Sequence, residues 1–216
     1  MFSFDPFGWA SRFLPVSLLH KLIRLTIILV LPVFLWVRLN EYSHYQFKPL
    51  WVMESLIFVI LIIAYAIREE PVGRSQTAPE ILVPLLGSVI PFALLLAPPL
   101  QTVYENRLIH VIFILMTLAT FLTVWGMWTL RRSFSITVEA RSPVIQGPYR
   151  WLRHPIYLGE LGAAATVTAW RFSALNVFFF LIFAVIQLYR ARMEETKLQQ
   201  YFPEYAEYRQ KTWWFL

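Results

Sequence analysis

The chain has 216 residues, of which 58% are hydrophobic and only 15% charged, and it contains no cysteine. With a mean hydropathy of +0.55 this is too apolar for an ordinary soluble domain or a disordered chain, and the missing cysteines exclude a disulfide framework and any thiolate-held metal. The net charge of +6 and pI near 9.7 could suit a nucleic-acid binder, but in so apolar a chain basic residues set membrane topology and meet anionic headgroups.

Residues 1–19 carry Phe2, Phe4, Phe7, Trp9, Phe13 and Leu14, but no basic start followed by an apolar core and a small-residue cleavage site. They read as a segment lying on the membrane surface, not as a signal peptide. Six hydrophobic runs follow, at 22–37, 50–67, 81–100, 108–130, 155–170 and 172–189. A bilayer core about 30 Å thick takes about 20 residues of helix, and lipid forces such runs to satisfy their own backbone hydrogen bonds. The expected fold is therefore an all-α integral membrane protein of about six transmembrane helices. Only Arg171 separates the last two runs, and one helix through both would measure about 52 Å, so a tight hairpin near residues 170–173 is expected. The fifth run is short and carries Glu160, which favours packing against protein over lipid.

Under this scheme Arg38, Lys48, Arg107 and Arg171 lie on one side and the other fifteen of the 19 Lys and Arg residues on the opposite side. The positive-inside rule then puts both termini in the cytoplasm. Arg24 reads as a membrane-edge anchor, and Trp213 with Trp214 as an interfacial aromatic belt. Glu54, near the start of the second run, reads as a snorkelling carboxylate, whereas Glu160 could orient groups near His154.

His20, His44, His110 and His154 are scattered with no pair at metal-ligand spacing, and HExxH, Walker A, GxGxxG and GxSxG patterns are all missing. Two polar stretches remain. The first, RRSFSITVEARSPVIQGPYRWLRHPIYLG over 131–159, has a Gly-Pro turn and a proline suited to start the fifth helix. Snorkelling basic residues would explain Arg150 and Arg153, but not Gly-Pro-Tyr, His-Pro and Tyr157 packed so closely. The second begins YRARMEETKLQQYFPEYAEY at 189. Arg190 and Glu194 share a helical face, Glu194-Glu195 alone would be a charge run, and Tyr201, Tyr205 and Tyr208 fall on one face as packing for a C-terminal helix.

Taken together, RHPxYxG, EExxL and FxxYxxY in this order resemble the C-terminal signature of the isoprenylcysteine carboxyl methyltransferases, much of which the membrane phospholipid methyltransferases share. The resemblance covers residues 131–216 and implies a membrane region over 1–130 followed by a cytoplasmic cofactor-binding catalytic region. It implies methyl transfer from S-adenosylmethionine to a lipophilic acceptor that enters from the bilayer, with membrane lipids as surroundings and neither metal nor nucleic acid as partner. By position the cofactor contacts would be Tyr149, His154, Pro155, Ile156, Tyr157 and Glu194, with Arg141, Ser142, Pro143 and Val144 lining the pocket largely through backbone. That loop departs from the eukaryotic His-x-Leu-Val type stretch. Arg190 matches the arginine that addresses the acceptor carboxylate, a role its planar, always-charged guanidinium suits. A phospholipid amine or a small thiol is the alternative acceptor, an amine then needing Glu160 or His154 as base. An NADPH-dependent reductase resembling the sterol reductases shares the RHPxYxG element but not the EExxL and FxxYxxY tail.

Overall fold

The computed structural model describes residues 16–44, 47–97 and 106–214, and side chains within these except at 16–24, 27, 106 and 107. The surface segment expected over 1–19 falls outside the described residues up to 15, and the Arg24 side chain also lies outside them. The described residues form seven α-helices: α1 (Val16–Asn40), α2 (Lys48–Ile67), α3 (Ala78–Leu96), α4 (Asn106–Leu130), α5 (Pro155–Trp170), α6 (Ala174–Tyr201) and α7 (Tyr205–Lys211). No strand is formed among them, only the isolated bridges Gly73–Ala140 and Leu152–Trp213.

The helix starts follow from local chemistry. Prolines occupy the first turns of α2, α3 and α5, where their missing N–H costs nothing. Ser173 caps α6 by accepting the Asn176 N–H at 3.1 Å. The Glu80 carboxylate turns back onto the Gln76 and Thr77 amides at the start of α3. Four helical stretches are long and apolar enough to cross a membrane: Lys48–Ile67, Ala78–Leu96, Leu108–Ser133 and Ala174–Tyr201. The 16 residues of α5 rise only about 24 Å, short of the hydrocarbon thickness. The expected hairpin is present, α5 ending at Trp170 and α6 starting at Ala174. Its turn is anchored by Arg171, whose Nη2 donates to the Leu95 and Ala97 carbonyls at the end of α3, both at 3.1 Å.

The helices alternate in direction, so loops 68–77 and 131–154 gather at one end of the bundle with α7, and the α1–α2 connection and Arg171 lie at the other. Glu54 belongs to that other end, where it pairs with Arg38 of α1 instead of snorkelling alone. The broadest helix contact is α4 on α5, and small residues make it possible. A Cβ at Gly159 would stand 2.6 Å from the Ala119 carbonyl oxygen and 2.8 Å from the Thr123 nitrogen, so only glycine lets the two backbones approach this far. Leu86, Val89 and Phe92 of α3 and Phe178, Leu181 and Val185 of α6 remain exposed as apolar surface suited to lipid.

This contact predicts that Gly159→Val lowers stability by about 1–3 kcal/mol, because β-carbon and methyls must force α5 off α4. Thermal unfolding in detergent would check it, and an unchanged midpoint would contradict the close approach.

Candidate functional site

The cavity wall begins with two loops knitted together. Ala140 exchanges backbone hydrogen bonds with Gly73 at 2.8 and 3.2 Å and also accepts the Val72 N–H at 2.9 Å. Val138 donates to the Glu80 carbonyl at 3.0 Å and is fully buried, as is Ala140. Between them Glu139 is held by Arg68, by Arg141 at 2.7 Å and by the Ser135 hydroxyl at 3.0 Å. Burial pushes the Glu139 carboxyl up, but the two guanidiniums and the hydroxyl outweigh it and hold it below the ordinary carboxylate range. Arg141 also donates to the Glu69 carbonyl, so its guanidinium ties loop to loop.

Above this wall opens a cavity of about 440 Å³. It reaches from Tyr208 on α7, past the loop residues Ser142, Pro143 and Val144, to Ser88 on α3 and Thr120 on α4. Of the residues expected to meet a cofactor, Arg141, Ser142, Pro143, Val144, Tyr149, His154, Ile156, Tyr157 and Glu194 all line it, as does Arg190. Pro155 does not line it. That ring is fully buried and faces Gly126 of α4, where it starts α5 and fills space between helices.

The polar centre is one turn of α6 against the first turn of α5. Arg190 is buried and reaches Glu194 through Nε at 3.3 Å and the Ile136 carbonyl through Nη2 at 2.9 Å. Its guanidinium lies 4.8 Å above the Tyr157 ring, whose hydroxyl donates to the same Glu194. Both donors therefore fix one carboxylate, and Arg190 is aimed by three contacts while its Nη1 carries no hydrogen bond among the described residues. Tyr149 is buried at the side of this group; burial first, then the Glu194 charge, push its phenol well above the ordinary range, so it remains a neutral donor. Its carbonyl accepts the Tyr208 hydroxyl at 2.7 Å.

Glu195 is the residue that the sequence reading missed. Successive residues of a helix point about 100° apart. While Glu194 faces the cavity, Glu195 faces away from it and is buried against His154 Nε2 and Arg153, both at 3.1 Å, and Arg209 at 3.4 Å. His154 thus offers the cavity its ring, stacked on Tyr157 at 5.4 Å, while Nε2 is engaged by a carboxylate. A helical periodicity scored on 190–197 would have separated the two glutamates.

Two further expectations are corrected. Trp214 is not part of an interfacial belt: it packs inward, edge-on to His154 at 6.3 Å, because Trp213 pairs backbone with Trp151 and Arg153 at 2.8 Å each. Tyr201, Tyr205 and Tyr208 do not share one helix. The chain breaks after Tyr201, at Phe202 and Pro203, so Tyr201 packs on Gly73 while Tyr205 and Tyr208 on α7 line the cavity. Burial raises the Tyr208 phenol to about 12. Glu160 also lines the cavity, and Gln187 of α6 donates to it. His44 sits beyond α1 and His110 near the start of α4, both at the far end from the cavity.

Residues 111–200 match the family described as Isoprenylcysteine carboxyl methyltransferase (ICMT), a span of about two-fifths of the chain that holds most of the cavity wall. No curated protein matches the chain. The resemblance read from RHPxYxG and EExxL therefore stands for that span.

Two outcomes follow from the ion pairs. Glu195→Gln leaves Arg153 without its buried counter-charge and should cost about 3 kcal/mol or more, whereas Glu207→Gln, in the exposed Lys211 pair, should leave the melting midpoint unchanged. Parallel thermal melts compare them. For Glu139 the folded-state pKa is lowered, so its stabilisation is complete above the unfolded-state value and is lost as pH falls through the folded one. Protection factors in 133–144, taken relative to intrinsic exchange at each pH, should fall on acidification below the ordinary carboxylate range, and Glu139→Gln should show low protection at neutral pH with this step removed.

Proposed function

We propose that this chain, whose span 111–200 carries the isoprenylcysteine carboxyl methyltransferase signature, is an integral membrane methyltransferase that uses S-adenosylmethionine and methylates the carboxylate of an isoprenylcysteine-like acceptor. The observation that carries the reading is the Arg190–Glu194–Tyr157 group inside a single cavity that continues between apolar helices. In this reading α1 and α5 complete six crossings, both termini are cytoplasmic, and residues 131–216 supply most of the cofactor contacts, with α2, α3 and α4 closing the cavity. The gathering of loops 68–77 and 131–154 at one end supports that sidedness.

The residues present fit the cofactor. Glu194 offers acceptor oxygens for hydroxyl or ammonium groups, and Tyr149 a hydroxyl with no hydrogen bond among the described residues. Tyr157 and His154 form a stacked aromatic face, which suits a cation or an adenine ring. When bound, S-adenosylmethionine supplies an electrophilic methyl group on a sulfonium. The carboxylate acceptor is already ionised and needs no base, so the protein's work is alignment. Arg190 supplies it: Glu194, Ile136 and the Tyr157 ring fix the guanidinium, and Nη1 remains to hold an acceptor oxygen in line. Tyr157 keeps Glu194 from swinging towards the acceptor, where it would repel it.

Purified protein should bind S-adenosylhomocysteine in calorimetry, and Glu194→Ala should weaken that binding at least about tenfold, the value of one or more hydrogen bonds to a charged group. Absence of binding heat with folded protein, or quenching of tryptophan fluorescence by NADPH alone, would overturn the reading in favour of a reductase. Arg190→Lys should reduce kcat by about 100-fold or more, since an ammonium cannot reproduce the fixed fork. Intact turnover in that variant would remove the carboxylate clamp and favour an amine or thiol acceptor.

A further inference from the structure

We propose that Glu160, propped by Gln187, is the specificity-determining residue for the acceptor: it receives a hydrogen bond from an N–H group that the acceptor carries next to its methyl-receiving carboxylate. The proposal rests on the methyl-transfer reading above and names the acceptor's head chemistry.

Three carboxylates line the cavity, Glu139, Glu160 and Glu194. Glu139 touches Arg68 and Arg141, and Glu194 touches Arg190. Glu160 touches no cation. Its single hydrogen-bond partner among the described residues is the Gln187 amide, while Arg190 acts on it only at longer range. A carboxylate offers about four lone-pair sites, and one neutral donor fills one of them. An ionisable group at membrane depth is costly unless function retains it, and an unmatched acceptor there is completed by whatever donor the cavity admits.

The support of Glu160 is rigid. Gln187 is 1% exposed and wedged under α3, where a Cβ on Gly87 would stand 3.5 Å from its Oε1. Its amide nitrogen donates to Glu160. The position is equally informative. Gln187 precedes Arg190 by three residues on α6, and Glu160 follows Tyr157 by three residues on α5. Each step is about 4.5 Å along its helix and leads away from Glu194, towards the stretch of cavity walled by Ala163, Thr120 and Ser88. An acceptor with its carboxylate on Arg190 and an apolar tail in that stretch must pass Glu160 with the atoms that join the two. In an amino-acid carboxylate the nitrogen is borne on the carbon next to the carboxyl group, among the atoms that pass Glu160. An acceptor without that N–H leaves Glu160 unmatched.

The test uses two S-prenyl thioether carboxylates that differ only in having or lacking an amide nitrogen on the carbon beside the carboxylate. Labelled methyl transfer from S-adenosylmethionine is measured in detergent with the full chain and with Glu160→Gln. A glutamine at this position has one carbonyl oxygen, already claimed by Gln187, and would present its own N–H to the acceptor. The full chain should favour the nitrogen-bearing acceptor by about 100-fold or more in kcat/KM, the discrimination expected when a buried polar group is left unpaired. Glu160→Gln should bring that ratio to within about threefold of unity. Equal use of both acceptors by the full chain, an unchanged ratio in the variant, or transfer to neither while S-adenosylhomocysteine still binds would each overturn the proposal. The first outcome needs no variant and is independent of folding. Loss of S-adenosylhomocysteine binding in the folded full chain would instead overturn the methyl-transfer reading itself.

Discussion

A charge surrounded by apolar side chains and lipid must have its counter-charge in contact, and this requirement organises the end of the bundle that holds the cavity. Glu139 joins Arg68 at the end of α2 to Arg141 in the loop after α4. Lys197 reaches from α6 to Glu80 at the start of α3, 2.7 Å away. Glu195 joins α6 to the residues before α5 and to α7. Apart from Glu139 with Arg141, two residues away in the same loop, the pairs link separate elements of the chain, and together they hold the loop walls of the cavity. The same rule operates at the opposite end, where Arg38 meets Glu54.

The helical architecture was legible because its causes are local. Runs of apolar residues, prolines in first turns and the lone Arg171 between two runs specify helices and a hairpin without knowledge of neighbours. The membership of the cavity wall was also legible, since nearly every residue carried over from the RHPxYxG and EExxL pattern faces it. What was not legible depends on direction. Pro155 lies within the motif but turns its ring to Gly126, and Trp214 sits in an aromatic pair but is drawn inward by the backbone pairing of Trp213. Neither residue type nor membership of a motif distinguishes a side chain facing the cavity from one facing a neighbouring helix; only the direction in which the backbone points it does.

Glu194 and Glu195 illustrate this most sharply. Adjacent and chemically identical, they differ by one helical step, which gives the first a tyrosine and an arginine at the cavity and the second a cluster of cations behind it. The cluster behind fixes the turn of α6 from which the other projects. Precision at the cavity is thus supplied by residues that never reach it.

The shortness of α5 has a consequence for depth. From the shared turn at Arg171, α5 climbs about 24 Å to Pro155, and α6 climbs about 25 Å to Arg190 before continuing for three more turns. With the turn at one face of a hydrocarbon layer about 30 Å thick, Arg190 and Tyr157 lie some ångströms beneath the other. In the methyl-transfer reading the short helix acts as a ruler: it sets Arg190 and Tyr157 just beneath the layer where a lipid's polar head resides. In that reading a greasy tail stays among the lipid chains while its head meets the cavity.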